Sequence, residues 1–270
     1  MGGDFEVIVA PNPGPMTLGG TNTYVVGRDP AHVIDPGPDD AGHLDAVRAE
    51  GEARGGIAGV LLTHSHADHS AGVERLGVPL LWGEVSEGDE ASAVFGAGTE
   101  DAASEVHPSD AKRDESHEPF EVGPFSAFFT PGHSRDHVVF LWRGICFCGD
   151  LILGEGSTIV PSAAFGGSLA DYLTSLRRVR RLDAALFAPG HGPLIEDPKA
   201  KIDEYLAHRA EREARLVRAL DAGERSRARL LGLVWDDVPE ILRPAAAVAM
   251  EAHLEKLEAE GRLDTAELGR

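Results

Sequence analysis

Short apolar runs of about four or five residues, each closed by Gly, Pro or Asp, recur along this chain up to residue 197. Runs of that length bounded by turn-formers read as strands buried on both faces. They fall at residues 5–9, 21–26, 32–35, 79–82, 119–122, 125–129, 137–142, 145–148 and 184–188. The second and third are joined by Gly27-Arg28-Asp29-Pro30, a hairpin pattern, and residues 11–20 hold too many Pro and Gly to be anything but a loop. Helical spacing takes over between some of these strands. One helix is expected up to about residue 54, with Asp39 or Asp40 as its cap and Leu44, Ala46 and Val47 on its apolar face. A second covers 68–76. A third covers 168–181, capped by Ser168, with Leu169, Tyr172, Leu173, Leu176 and Val179 on one face. Residues 84–118 show no period and read as an exposed, irregular insertion, in which His107 and His117 are solvated surface residues.

Past Gly192 the pattern becomes helical. Residues 199–221 place Ile202, Tyr205, Leu206, Leu216, Val217 and Leu220 among many charges, and Gly223 ends the run. Two further helices are expected at 225–234 and 239–260, then a short strand at 261–265. The chain therefore divides into residues 1–197 and a smaller helical domain, 198–270.

The polar residues that close the strands carry the chemistry. The apolar run Gly59-Val60-Leu61-Leu62 leads directly into Thr63-His64-Ser65-His66-Ala67-Asp68-His69. Imidazole nitrogens and carboxylate oxygens are ligands for zinc and similar ions, and a strand end holds them rigidly. His133, Asp150 and His191 each follow another apolar run, in Pro131-Gly132-His133, Gly149-Asp150 and Gly190-His191-Gly192. Together they place ligand-type residues along one rim of a sheet structure.

Composition narrows the setting. No apolar run approaches the length of a membrane span, and the first residues lack the basic region and apolar core of a secretory signal. Only Cys146 and Cys148 occur; two apart on a strand they face the same way, and small buried residues are expected rather than a bridge. These features point to the cytoplasm. The formal charge is −20, and residues 84–121 account for half of it, with twelve acidic and two basic side chains. Residues 200–270 hold fifteen acidic and twelve basic side chains, net −3, which gives the small domain no excess charge for coating nucleic acid.

The motif His64-Ser65-His66-Ala67-Asp68-His69, with the three later ligand positions, resembles the metallo-β-lactamase superfamily, over residues 5–197. The resemblance implies an α+β architecture, a four-layer αβ/βα sandwich. By the same resemblance His64, His66 and His133 bind one divalent ion, Asp68, His69 and His191 a second, and Asp150 bridges them. Two such ions share a water and lower its pKa from about 15.7 towards 7, so that a bridging hydroxide can attack a carbonyl or a phosphorus. Asp68 is expected to act as the acid–base partner. Zinc fits this donor set, with manganese or iron as alternatives.

Finer features, Asn22-Thr23-Tyr24-Val25-Val26, Thr130-Pro131-Gly132-His133-Ser134-Arg135-Asp136-His137 and the segment from Ser168 to Leu176, resemble the lactamase-β-like hydrolases. That group includes an endoribonuclease acting on single-stranded RNA and is related to glyoxalase II-type thioesterases. Asn22 is then expected to bind substrate. His137 is expected to act in catalysis, with a donor role behind a ligand or a packing role at a strand start as the other readings. Tyr205-Leu206-Ala207-His208-Arg209 and His253-Leu254-Glu255-Lys256-Leu257 resemble the winged-helix domain appended to the same group; His208 is expected to pack, and Arg209 to form a surface or interdomain ion pair. Three functions follow: a single-stranded RNA endonuclease, a thioester or acyl hydrolase, and a duplex-DNA-binding regulator acting through residues 200–270, the last disfavoured by charge. A domain that caps the active-site groove is preferred to one that reads DNA.

Overall fold

The computed structural model describes residues 4–85 and 118–269. His107, His117 and most of the acidic insertion lie outside the described residues.

Two five-stranded sheets pack face to face. The first runs β1 (Phe5–Val9), β2 (Asn22–Val26), β3 (Ala31–Ile34), β4 (Ile57–Leu61), β5 (Leu80–Trp82). The second contains β6 (Phe120–Val122), β7 (Phe125–Phe129), β8 (Val138–Trp142), β9 (Ile145–Gly149) and β10 (Leu186–Pro189), in the spatial order β10-β9-β8-β7-β6. The β3–β4, β4–β5 and β9–β10 pairs are parallel and the others antiparallel. Alternation along the strands sorts the side chains into layers. Tyr24, Val26, Ile34 and Leu61 meet Phe125, Phe140 and Phe147 between the sheets. The intervening Val25, Val33 and Val60 pack outward against Leu44 and Val47 of α1 (Ala41–Ala53). Val139, Cys146 and Cys148 pack outward on the other side against α4 (Leu169–Val179), and both cysteines are free and buried. This is the expected α/β/β/α order.

Local structure follows sequence closely at the caps. Asp40 accepts from His43 N at 2.8 Å and Ser168 from Asp171 N at 3.2 Å. The helix expected over 68–76 is instead two short ones, α2 (Ala67–Ser70) and α3 (Gly72–Leu76). The break occurs because the Gly72 N–H leaves the helical ladder and donates to Gly37 O at 2.8 Å.

The C-terminal region consists of α5 (Pro198–Asp221), α6 (Arg227–Val234) and α7 (Arg243–Ala259). Leu216, Leu220, Leu230, Val234, Trp235, Met250 and Leu254 form its core. The expected division after residue 197 does not coincide with a core boundary: Ile202 and Tyr205 of α5, with Ala252 of α7, belong to the core under the second sheet. The strand expected at 261–265 is not formed. Gly261 turns the chain with a φ of 69°, and residues Thr265–Glu267 make a 3-10 turn capped by Asp264. A bridge between Ser226 and Gly269 is the extended pairing there. No helix among the described residues is long and apolar enough to cross a membrane.

Candidate metal centre

Strand direction puts the chemistry on one rim. Because β3 and β4 run parallel with Ile34 opposite Leu61, the residues that follow each strand leave the sheet side by side. Asp35 follows β3, and Thr63 and His64 follow β4. In the second sheet, β9 and β10 are also parallel, so Asp150 and His191 emerge together. β7 lies two antiparallel steps from β9 and so runs the same way, and the loop that follows it brings His133 to the same rim.

Two groups of nitrogen and oxygen atoms converge there. On one side His64 Nε2 and His133 Nε2 lie 2.9 and 3.0 Å from His66 Nδ1. On the other, His191 Nε2 lies 3.2 Å from Asp68 Oδ2, and His69 Nε2 lies 3.5 Å from the same oxygen. Asp150 stands between them, with Oδ1 3.6 Å from His69 Nε2 and Oδ2 3.4 Å from His191 Nε2 and 3.8 Å from His133 Nε2. The groups His64/His66/His133, His64/His69/Asp150 and Asp68/His69/His191 each bring their ligand atoms within 4.8 Å of one another.

The protonation pattern fits a cation. Burial, reinforced by neighbouring imidazoles, pushes His64 well below the ordinary histidine range and His133 down to about 4, so both present lone pairs at neutral pH. On the other side burial opposes charge, yet carboxylates win. Asp150 and Asp68 hold a proton on His191 up to about 9, and Asp68, Asp150 and Asp35 raise His69 well above its usual value. Burial likewise opposes ionisation of Asp68, but His69 and His191 lower it to about 2. Those protons occupy the lone pairs that a divalent ion would take, so ion binding would release them. Two further features fit. His69 Nε2 and Asp150 Oδ1 are buried without a hydrogen-bond partner. A Cβ at Gly190 would lie 2.4 Å from Asp150 Oδ1 and 2.6 Å from His69 Cε1, so only glycine lets this strand end approach.

The supports of these ligands are buried polar contacts. Asp35, 2% exposed, accepts from Thr63 N at 2.7 Å and Thr63 Oγ1 at 2.6 Å, and faces His69 Nδ1 at 2.9 Å. Such a contact fixes ring orientation and leaves Nε2 free to ligate. His133 Nδ1 meets Ile159 O at 2.8 Å, and His191 Nδ1 meets Gly20 O at 3.2 Å. A Cβ at Gly132 would meet the backbone of Tyr172 at 2.4 Å, so the His133 loop sits directly on α4. From sequence, Asp35 reads only as a strand stop. Its signal is the one used for the others, a ligand-type residue directly after an apolar strand.

Two expected site residues are buried under the rim. Asn22 is buried beneath the rim, and its amide donates to Pro189 O at 2.9 Å and Gly192 O at 2.8 Å. It holds the His191 turn, and both its donors are engaged there rather than offered to a substrate. His137 is fully buried, with Nδ1 2.8 Å from Thr130 Oγ1 and its ring 5.2 Å from that of His64. Burial and nearby imidazoles keep it neutral, and with no exposed surface it packs behind the ligands instead of touching a reacting group. His208 is exposed on α5 rather than packed, and Arg209 is buried and bonds to backbone rather than to a carboxylate.

Fold and site together define a metal-dependent hydrolase, and the chain belongs to the metallo-beta-lactamase superfamily, whose model matches residues 16–191. Residues 227–269 match the beta-lactamase associated winged helix domain. Among relatives, the Beta-lactamase-like protein 2 homolog of Drosophila melanogaster is 34% identical over 95% of this chain and 88% of its own length. Lactamase-like protein adaB of Aspergillus niger is 38% identical over 83% of this chain, which spans 65% of that protein. The Atrochrysone carboxyl ACP thioesterase of Aspergillus fumigatus is 33% identical over 82% of this chain and 66% of its own. Among solved structures, the metallo-beta-lactamase family protein TTHA1429 of Thermus thermophilus superposes with a TM-score of 0.69 at 23% identity, covering 96% of this chain and 94% of that one. TTHA1623, solved in a di-iron-bound form, gives 0.51 at 26% identity over 71% of this chain and 94% of its own.

Proposed function

We propose that this chain hydrolyses acyl thioesters. The reading places one divalent ion among His64, His66 and His133, a second among Asp68, His69 and His191, and Asp150 between them. The observation that carries hydrolysis is the convergence of these side chains on one rim, with buried, unpartnered His69 Nε2 and Asp150 Oδ1 among them. Bound ions would polarise the substrate carbonyl and acidify a water at neutral pH. The protein's own work is positional. Asp35, Gly20 and Ile159 fix the rings through their far nitrogens, and Asp68, whose side chain is 24% exposed, is the carboxylate within reach of a substrate proton. Imidazole and carboxylate donors favour zinc; iron and manganese accept the same set, and likeness to the di-iron-bound TTHA1623 supports iron as the alternative.

The choice of acyl over phosphodiester substrate rests on two supports. One relative is named as a thioesterase. Six arginines of the C-terminal region that could have joined an RNA or DNA track are instead paired within the protein. Arg212 pairs with Asp237, Arg215 with Asp236, Arg218 with Glu211, Arg225 with Glu267, Arg227 with Glu251 and Arg229 with Glu224. Phosphate would have to compete with these carboxylates on a chain of formal charge −20. Zinc-reconstituted protein is to be assayed side by side on an acyl thioester of pantetheine and on a single-stranded RNA, with Asp68→Ala as control. Thioester turnover lost in the control supports the reading. Metal-dependent cleavage of the RNA alone would replace it with the nuclease reading.

A further inference from the structure

Between the two family matches, which end at 191 and resume at 227, lies α5, and neither match accounts for it. The helix carries two buried arginines three residues apart, hence on one side of the helix. Arg212 turns to the small domain: it donates to Asp237 through two bonds of 2.7 and 2.6 Å and also to Val234 O. Arg209 turns the other way. It is 5% exposed, its guanidinium lies 5.5 Å from the centre of the Tyr172 ring, and Nη2 donates to Thr158 O and, at 3.2 Å, to Ser157 Oγ.

The segment so gripped is the strap behind the metal centre. Thr158 Oγ1 donates to Asp150 O at 2.7 Å. The next carbonyl, Ile159 O, is the partner of His133 Nδ1 at 2.8 Å. Two tyrosines secure the other end: Tyr172 Oη donates to Leu151 O at 2.7 Å, and Tyr205 Oη accepts from Leu153 N at 3.0 Å. Arg209 thus bonds to the residue that holds Asp150, and stands one residue from the carbonyl that holds His133. An interior ionised side chain is costly unless its bonds are made, so its engagement with the strap is a strong constraint on where Thr158 and Ile159 lie.

We infer that Arg209 is a positioning residue of the metal centre: by holding the Ser157–Thr158–Ile159 strap it fixes His133 and Asp150, and so makes metal retention depend on the linking helix. The inference rests on metal binding by the His/Asp cluster, not on the identity of the substrate. Losing a support of a ligand typically costs 10–100-fold in metal affinity, which sets the expected size.

The test is zinc release from fully reconstituted, folded protein into a chromophoric chelator, for wild type, Arg209→Met and Arg209→Lys, with thermal melting of the metal-free proteins alongside. Arg209→Met keeps the apolar stem and removes the donors; Arg209→Lys keeps one donor and the charge, and carries the test should the first fail to fold. Expected is release about 10–100-fold faster in Arg209→Met, with Arg209→Lys between it and wild type. A merely structural arginine would lower the melting temperature and leave release from folded protein unchanged, and that result, in whichever variant folds, overturns the inference. Wild type that retains no zinc would instead defeat the metal reading itself.

Discussion

Asp35→Asn changes one atom and isolates one of the account's main assumptions, that a carboxylate outside the ligand set decides which nitrogen of His69 carries the proton. Asp35 is buried, and its Oδ2 faces both Thr63 Oγ1 at 2.6 Å and His69 Nδ1 at 2.9 Å, while Oδ1 accepts from Thr63 N at 2.7 Å. An asparagine that keeps its oxygen on Thr63 N places an NH2 group against the other two. Two bonds to a charged acceptor are lost, at about 1.5–3 kcal/mol each, bounding the cost at about 3–6 kcal/mol. Rotation of the Thr63 hydroxyl recovers one of them, leaving about 1.5–3 kcal/mol. The new donor also favours the His69 tautomer with hydrogen on Nε2, where ligation needs a lone pair, so affinity at the Asp68/His69/His191 group should fall about 10–100-fold. Urea unfolding of the metal-free proteins and zinc titration of the folded ones measure the two effects separately. At a slope of about 2–3 kcal/mol/M the stability loss moves the urea midpoint down by about 1 M. An unchanged midpoint with unchanged zinc affinity would refute the assigned role of Asp35.

Other outcomes follow from the same geometry. Gly190→Ala puts a Cβ 2.4 Å from Asp150 Oδ1 and 2.6 Å from His69 Cε1, so the ligands must move; the variant should fold, by circular dichroism, yet lose bound metal on elemental analysis, and full retention would show that the strand end has slack. His253 in α7 is 1% exposed, and burial, with Arg209, Lys256, His208 and Arg212 nearby, lowers its pKa to about 3. Because the folded value is below the unfolded one near 6.5, the unfolded chain binds the extra proton, and stability falls as pH drops from about 6.5 towards about 3. At pH 5.5 this amounts to about 1.4 kcal/mol, set almost wholly by the unfolded value. His253→Leu should flatten the loss of melting temperature between pH 7.5 and about 5.5, and identical slopes in the two proteins would count against it.

Most of the sandwich was legible because its strands are uninterrupted apolar runs with turn-formers at their ends, and the ligand residues fall in the loops and the short helix that follow those runs. The helix over 68–76 reads as continuous in sequence because the hydrogen bond from Gly72 to Gly37 that divides it spans distant parts of the chain. Asn22 and His137 could not be placed from sequence for a related reason. Both are polar residues at strand starts near the rim, and only the register of the two sheets shows that Asn22 reaches the 189–192 turn and that His137 lies behind His64. The strand expected at 261–265 rested on a single apolar residue, Leu263, between polar ones; without a partner strand to accept its hydrogen bonds, the segment closes into a turn.

The most direct measurement for the whole account is the metal content of the purified, reconstituted chain after gel filtration, beside that of Asp68→Ala and His66→Ala. About two divalent transition-metal ions per chain are expected in the parent protein, with each variant retaining fewer. Less than about one ion in the parent, or parent-like content in both variants, would contradict it.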